Sequence, residues 1–264
     1  MLEILAPVRE ELSDAEALVQ RALDTAGGYA ARGWIHDLPG VADHRRTLHQ
    51  YIRPALVLLT SRLYQHRPEV AVPLAAVHQF IYLAGRVHRG VSEEAAAGQA
   101  REAYQFPVLV GDYLYGRFFT TLCDAGCHRL LADLARVICA INEGGMMRAK
   151  QAVGEGNYDR LEVIRLETAE LVASCCRTGG LAAGAPAADG SCLYNLGLEL
   201  GLALGRLEEG HALAEAAGHL QKALAELSLL VGHRNRESME RFIRVFPALG
   251  YPPEGLVSAG DLAG

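Results

Sequence analysis

The residues best suited to chemistry fall into a few short stretches. The segment VHRGVSEE carries His88, Arg89 and Glu93, LEEGH carries the adjacent acids Glu208 and Glu209, RLETAE carries Glu167 and Thr168, and YIRPA carries Arg53. Paired carboxylates are the donors a hard divalent cation takes, and arginines are the natural clamp for a phosphate. Glu208 and Glu209 offer such a pair, although two acids on a helix more often form a solvated face. Arg89 offers the opposite: a guanidinium has only donors, so it repels a cation and supplies no oxygen to ligate it. Arg89 and Glu93 are spaced i, i+4 on a helix, which sets them within pairing reach. Whether this constellation holds a metal or neutralises itself is the question the sequence poses.

Helices must position these groups. Ser13-Asp14-Ala15-Glu16 has the form of a capping box, and Leu18, Ala22 and Leu23 follow it, which predicts a first helix beginning near residue 13. Apolar periodicity predicts further helices over about 46–65, 70–91, 102–124, 128–152, 159–183, 191–208, 211–230 and 235–246, separated by turns such as DAGC, GEGNYD and GAPAADG. Runs of β-branched residues are short and embedded in helical periodicity, so the expectation is an all-α, single-domain helical bundle over 1–246 with an irregular tail from 247 to 264.

Composition narrows the function classes. The chain has 264 residues, half of them hydrophobic, and a net charge of -6; that length suffices for a full core and that charge argues against a nucleic-acid surface. Cys123 and Cys127 with His128 make an incomplete zinc set, and the six cysteines read as reduced structural thiols. The acidic start MLEILAPVREELS lacks signal-peptide character and no apolar run reads as membrane-spanning, so no transmembrane segment and a cytoplasmic location are expected.

An ordered series of segments resembles the trans-isoprenyl diphosphate synthases, or polyprenyl synthetases. YIRPALVLLTSRLY is similar to their GKRxRPxLxLL, LVGDYLYGRFF to LxGDYLxxRAF, INEGGMMRAKQ to EGExxQ, and YDRLEVIRLETAELVASCCRTGGLAAGA to YxxxIxxKTAxLFxxxxxxGAxxAGA. LGLELGLALGRLEEGHA resembles FGxxLGxAFQxxDDxxD, and GHLQKALAELSLL resembles the closing helix. The resemblance covers roughly 8–246 and implies an all-α prenyltransferase fold, commonly dimeric, shortened near its C-terminal part. In that family an allylic diphosphate ionises and is attacked by isopentenyl diphosphate, while two aspartate-rich motifs hold Mg²⁺ against the leaving diphosphate.

The departures fall on the ligand positions. HDDxxD is here His88-Arg89-Gly90-Val91-Ser92-Glu93, and DDxxD is Glu208-Glu209-Gly210-His211-Ala212. The arginine pair after the first motif becomes Gly98 and Gln99; the Lys and first Arg of GKRxRP become Gln50 and Tyr51, leaving Arg53; the isopentenyl-diphosphate His becomes Tyr82; the Gln before the second motif becomes Gly205. In the Lys-Thr pair the Lys is Glu167, a charge reversal, and Thr168 remains. The segment after the second motif is shortened, removing a wall of the pocket.

These residues favour a catalytically degenerate homologue, a structural or regulatory subunit that pairs with itself or with an active paralogue through helices around 102–152. No catalytic residue is expected at the degenerate positions Arg89, Gly90, Glu93, Glu167 and Thr168. The alternatives are an atypical prenyltransferase that uses Glu93, Glu208 and Glu209 for Mg²⁺ and Arg53 and Arg89 for diphosphate, or a prenyl-chain binding protein. Two readings of Arg89 stand: it fills the place of the metal and pairs with Glu93, Glu208 or Glu209, or it is a surface residue with its charged head in water. His88 reads as a hydrogen-bonded packing residue before a proton handle, Asp112 as a cap or interhelical acceptor, Met146 and Met147 as core or interface filler, and Ala84 and Gly85 resemble the family's product-length positions or else only permit close helix packing.

Overall fold

In a computed structural model of the chain, the described residues are 4–26, 49–96, 102–210, 213–230 and 235–250. Side chains are described over 4–26, 51–90, 105–210, 214–230 and 235–246. Among these residues the secondary structure is helical throughout: α1 Arg9–Thr25, α2 His49–Ser61, α3 Pro68–Ala96, α4 Glu102–Asp124, α5 Leu131–Ala152, α6 Arg160–Ile164, α7 Glu170–Ala182, α8 Asp189–Glu208, α9 Leu213–Leu229 and α10 Arg236–Gly250. Between α6 and α7 the helix widens into a π turn, Arg165–Ala169.

Several boundaries differ from the sequence expectation: α2 ends at Ser61, four residues short, α3 runs on to Ala96, and the two chain-terminal helices are longer than expected. The first helix starts at Arg9, behind a short 3₁₀ turn Ala6–Val8 with Pro7 in it, so Ser13 is an interior residue and caps nothing. Proline at the start of that turn sets φ for helix entry and removes a donor that would have no partner there. The last helix continues through Pro247 to Gly250, so the irregular tail does not begin at 247. Met239, Phe242, Ile243 and Phe246 anchor its buried face, and Phe242 meets Phe246 edge to face at 5.7 Å. That burial outweighs the one backbone bond a late proline removes.

α3 is the central helix, packing on α1, α2, α4, α5 and α7, with Phe80, Ile81, Ala84 and Val87 fully buried. Its segment Pro68–Gly90 is long and apolar enough to cross a membrane, which corrects the expectation that no run reaches that length. Two thirds of its apolar window is buried inside the bundle, as a core helix requires. Within this core, His78 on α3 bonds the Leu74 carbonyl at 2.9 Å and lies 3.2 Å from both Ser174 Oγ and Thr178 Oγ1 on α7. Burial pushes its imidazole down to about 4, so the ring is neutral.

α8 approaches the α6–π turn–α7 segment unusually closely. A Cβ on Gly201 would stand 2.4 Å from the Ala169 Cα, and one on Gly197 would stand 2.6 Å from the Ala173 Cα. Gly197, Gly201 and Gly205 recur every four residues and so form one small-residue face along the helix. That face seats α8 backbone to backbone on the π turn, which brings its C-terminal acids to the site. A left-handed Gly210 (φ 79°) ends the helix, and α9 packs back along α8.

All six cysteines are free. Cys175 and Cys176 are buried in α7; desolvation pushes the Cys175 thiol up to about 12 and raises Cys176 well above its ordinary value, as expected of inert structural thiols.

Candidate functional site

Arg53 of α2 is 1% exposed, its guanidinium stacked 3.6 Å from the centre of the Tyr82 ring on α3 and 3.9 Å from Glu208 Oε1 at the end of α8. A desolvated cation–π contact of this kind contributes about 2 kcal/mol. Tyr82 therefore covers the one arginine left from the GKRxRP segment. Arg53, Tyr82, Arg86, Arg89, Glu167 and Glu208 surround a cavity of about 20 Å³. That is space for about one water, far below the roughly 300 Å³ of a small-molecule site.

Glu167 lies at the centre. Its side chain is 1% exposed and receives Arg148 Nε and Nη2 on Oε2 at 2.8 and 2.6 Å. Arg89 Nη2 stands 3.5 Å from Oε1. Arg148 also bonds Glu209 Oε1 at 3.0 Å, and Arg160 Nε meets Glu209 Oε2 at 2.5 Å. Burial disfavours the charge of Arg148, but the bonds it donates to Glu167 and Glu209 outweigh it and hold its pKa above the ordinary arginine value. A chain of alternating charges thus runs from α3 through the π turn to α5, the end of α8 and the start of α6.

Local backbone makes room for this carboxylate. The π turn carries Glu167 and Thr168 inward, and Gly144 on α5 lies directly beneath: a Cβ there would stand 2.7 Å from Glu167 Cγ and 3.2 Å from its backbone nitrogen. π turns commonly re-aim side chains at sites of this sort.

The structure brings Arg53, Arg89, Glu167, Thr168, Glu208 and Glu209 together and corrects their pairing. Arg89 does line this cavity, but its partner is Glu167, not Glu208 or Glu209; Glu209 is taken by Arg148 and Arg160. The side chains of Glu93, Gln50 and His211 lie outside the described residues, as do Gly98 and Gln99 altogether. His88 lies 3.4 Å from Asp112 and edge-on to Tyr115 at 5.6 Å, joining α3 to α4; Asp112 is accordingly an interhelical partner within α4, not a cap. Met146 is exposed, not core. Ala84 is fully buried and a Cβ on Gly85 would stand 3.3 Å from Ile141, consistent with packing.

A Mg²⁺ site of the kind the resemblance implies does not fit these residues. Arg89 and Gly90 supply no side-chain oxygen, Glu208 and Glu209 face guanidinium groups, and among the described residues no three His, Cys, Asp or Glu side chains gather. Arg148 and Arg160 are the functional-looking residues that sequence reasoning missed. Arg148, four residues after Gly144 on the same helix, was the available signal.

This architecture is that of the all-α isoprenoid synthase fold. It superposes on a decaprenyl diphosphate synthase from Rhodobacter capsulatus with a TM-score of 0.73 at 21% identity, covering 94% of this chain and 99% of that one. A polyprenyl synthase from Caulobacter crescentus, solved with calcium and isoprenyl diphosphate, gives 0.72 at 20% identity over 95% of this chain and 97% of that one. Residues 49–204 match the Polyprenyl synthetase family, and the chain belongs to that family. It is 29% identical over 204 residues to heptaprenyl diphosphate synthase component 2 of Geobacillus stearothermophilus, covering 73% of this chain and 61% of that protein. It is 28% identical to decaprenyl-diphosphate synthase subunit 2 of Schizosaccharomyces pombe, over 73% of this chain and 67% of the relative. The match thus spans about three fifths of the first of these relatives.

Proposed function

We propose that this chain is a non-catalytic subunit of a polyprenyl diphosphate synthase, a helical domain whose own pocket does no metal chemistry and which supports or tunes an active paralogue. One observation carries the reading: where the family places the first aspartate-rich motif, Arg89 faces the buried carboxylate of Glu167, which itself stands in the place of a lysine. The cation position and the anion position have exchanged sign. Diphosphate ionisation needs the reverse arrangement, with metal ions and cations gathered on the leaving group.

Two features support a partner. Relatives bearing the designations component 2 and subunit 2 point to synthases built of more than one kind of chain. Phe106, Leu109 and Phe119 are exposed on α4 and Met146 on α5, so the helices that the resemblance associates with dimerisation present apolar side chains outward. A second copy of this chain and a paralogue are both candidates for that face.

The test is incorporation of labelled isopentenyl diphosphate by the purified chain, with Mg²⁺ or Mn²⁺ and a panel of allylic diphosphates, alone and mixed with an active synthase. The expected result is no turnover alone and a changed yield or chain length in the mixture. Turnover by the chain alone that disappears in Glu208→Gln refutes the subunit reading and makes it an atypical prenyltransferase.

A further inference from the structure

We propose that Arg89 and Arg148 form an anion clamp whose resident occupant is the carboxylate of Glu167, so that the pocket accepts a phosphate or diphosphate only when Glu167 is withdrawn or neutralised. The inference deepens the reading above and rests on it in one respect: the pocket is taken to have no metal chemistry of its own.

The geometry is that of a guanidinium site around an oxyanion. Arg148 gives Nε and Nη2 to one carboxylate oxygen at 2.8 and 2.6 Å, and Arg89 approaches the other at 3.5 Å. Planar guanidinium forks grip carboxylate and phosphate alike, so the same two side chains suit either group. The carboxylate is a tight but incomplete fit, since Glu167 Oε1 is fully buried and accepts no hydrogen bond. A phosphate, with more oxygens, would engage Arg89 where the carboxylate does not.

The occupant is also held there by its own backbone. The π turn projects Glu167 inward, and the contact at Gly144 leaves space for its methylenes but for no Cβ on the facing helix. Arg148 is 42% exposed, so the outer edge of the clamp opens to solvent while the inner edge reaches buried Arg53. An external anion arriving by that edge would have to displace Glu167 from both arginines. In the resting protein the internal ligand, at effectively fixed concentration, wins.

The test uses the full chain and inorganic pyrophosphate without metal, read by calorimetric titration and by thermal shift. Glu167→Gln and Glu167→Ala are expected to bind pyrophosphate more tightly than the wild type, by a factor on the order of 5–150 if displacing the carboxylate costs the wild type about 1–3 kcal/mol, the size of a typical coupling free energy. Adding Arg148→Ala to either variant is expected to remove the gain. Wild-type binding as tight as that of the variants overturns the proposal, as does a folded Glu167→Gln that gains nothing. Circular dichroism establishes folding; should both neutral variants fail to fold, Glu167→Asp retracts the carboxylate by one methylene while keeping its charge. That variant is then expected to show the gain in smaller degree, and no gain from it overturns the proposal. Turnover of labelled isopentenyl diphosphate by the wild type refutes the subunit reading alone, whereas these titrations judge the clamp alone.

Discussion

Breaking the pair at the centre of the site tests how much the charge chain contributes to the fold. Arg148→Ala removes two charge-assisted hydrogen bonds from Glu167 Oε2, at 2.8 and 2.6 Å. Such bonds contribute about 1.5–3 kcal/mol each where both groups are dry. Arg148 is 42% exposed, so solvent screens its end of the pair, and a coupling of about 2 kcal/mol is the reasonable expectation. The buried carboxylate would then keep only the longer approach of Arg89. The assay is a double-mutant cycle in urea with Arg148→Ala, Glu167→Ala and the double variant at one protein concentration, since any association shifts apparent stability. For a chain of this size a coupling of about 2 kcal/mol corresponds to roughly 4–8 °C in melting temperature. The double variant should be more stable than the sum of the single losses predicts, because each single change strands a charge that the other removes. A coupling below about 0.5 kcal/mol, within the usual error of additivity, refutes the idea that these groups neutralise each other in the folded state.

Other outcomes follow from the same physics. His78 titrates near 4 in the fold against 6.5 as its ordinary value, so the unfolded chain binds the proton first and about 3 kcal/mol of stability is lost as pH falls from about 6.5 towards 4. Urea denaturation across that range should show the slope, and His78→Gln should flatten it. Gly144→Ala places a methyl against Glu167 and should cost about 1–3 kcal/mol by overpacking, measured by the same denaturation. Under native conditions a thiol reagent should modify exposed Cys123 and Cys139 while Cys175 and Cys176 react only after unfolding, a difference that colorimetric titration reads directly. Leu109→Glu should weaken association with an added synthase by at least about tenfold, on the scale of one charge placed in an apolar interface, when followed by analytical ultracentrifugation.

Much of the fold was legible because helical periodicity is local. The helices α3 to α5, α8 and α9 fall close to their expected ranges, and the turns DAGC and GEGNYD separate helices as expected. The start of α1 was misplaced because Ser13 has the letters of a capping box without the chain change of direction that makes one, whereas Pro7 supplies that change. The site was legible as a set of positions but not as a set of pairs. From sequence Arg89 is set against Glu93, Glu208 or Glu209, yet the carboxylate it meets is Glu167, which the π turn carries inward. Arg148 escaped notice because a charge on an amphipathic helix ordinarily belongs to its solvent face. The glycines at 197, 201 and 205 stood in plain view at four-residue spacing, and their meaning emerges only from what lies opposite them.

The meeting of Arg89 and Glu167 also makes the two positions depend on each other. Exchanging Arg89 alone for aspartate would remove the cation that stands 3.5 Å from Glu167 and leave a second carboxylate on the facing helix in its place. Exchanging Glu167 alone for lysine would crowd a third cation between Arg89 and Arg148. Each single exchange therefore sets like charges facing one another, while both together would give opposite charges in the other order. The two positions are therefore linked: a change of sign at one is tolerated only with a change of sign at the other.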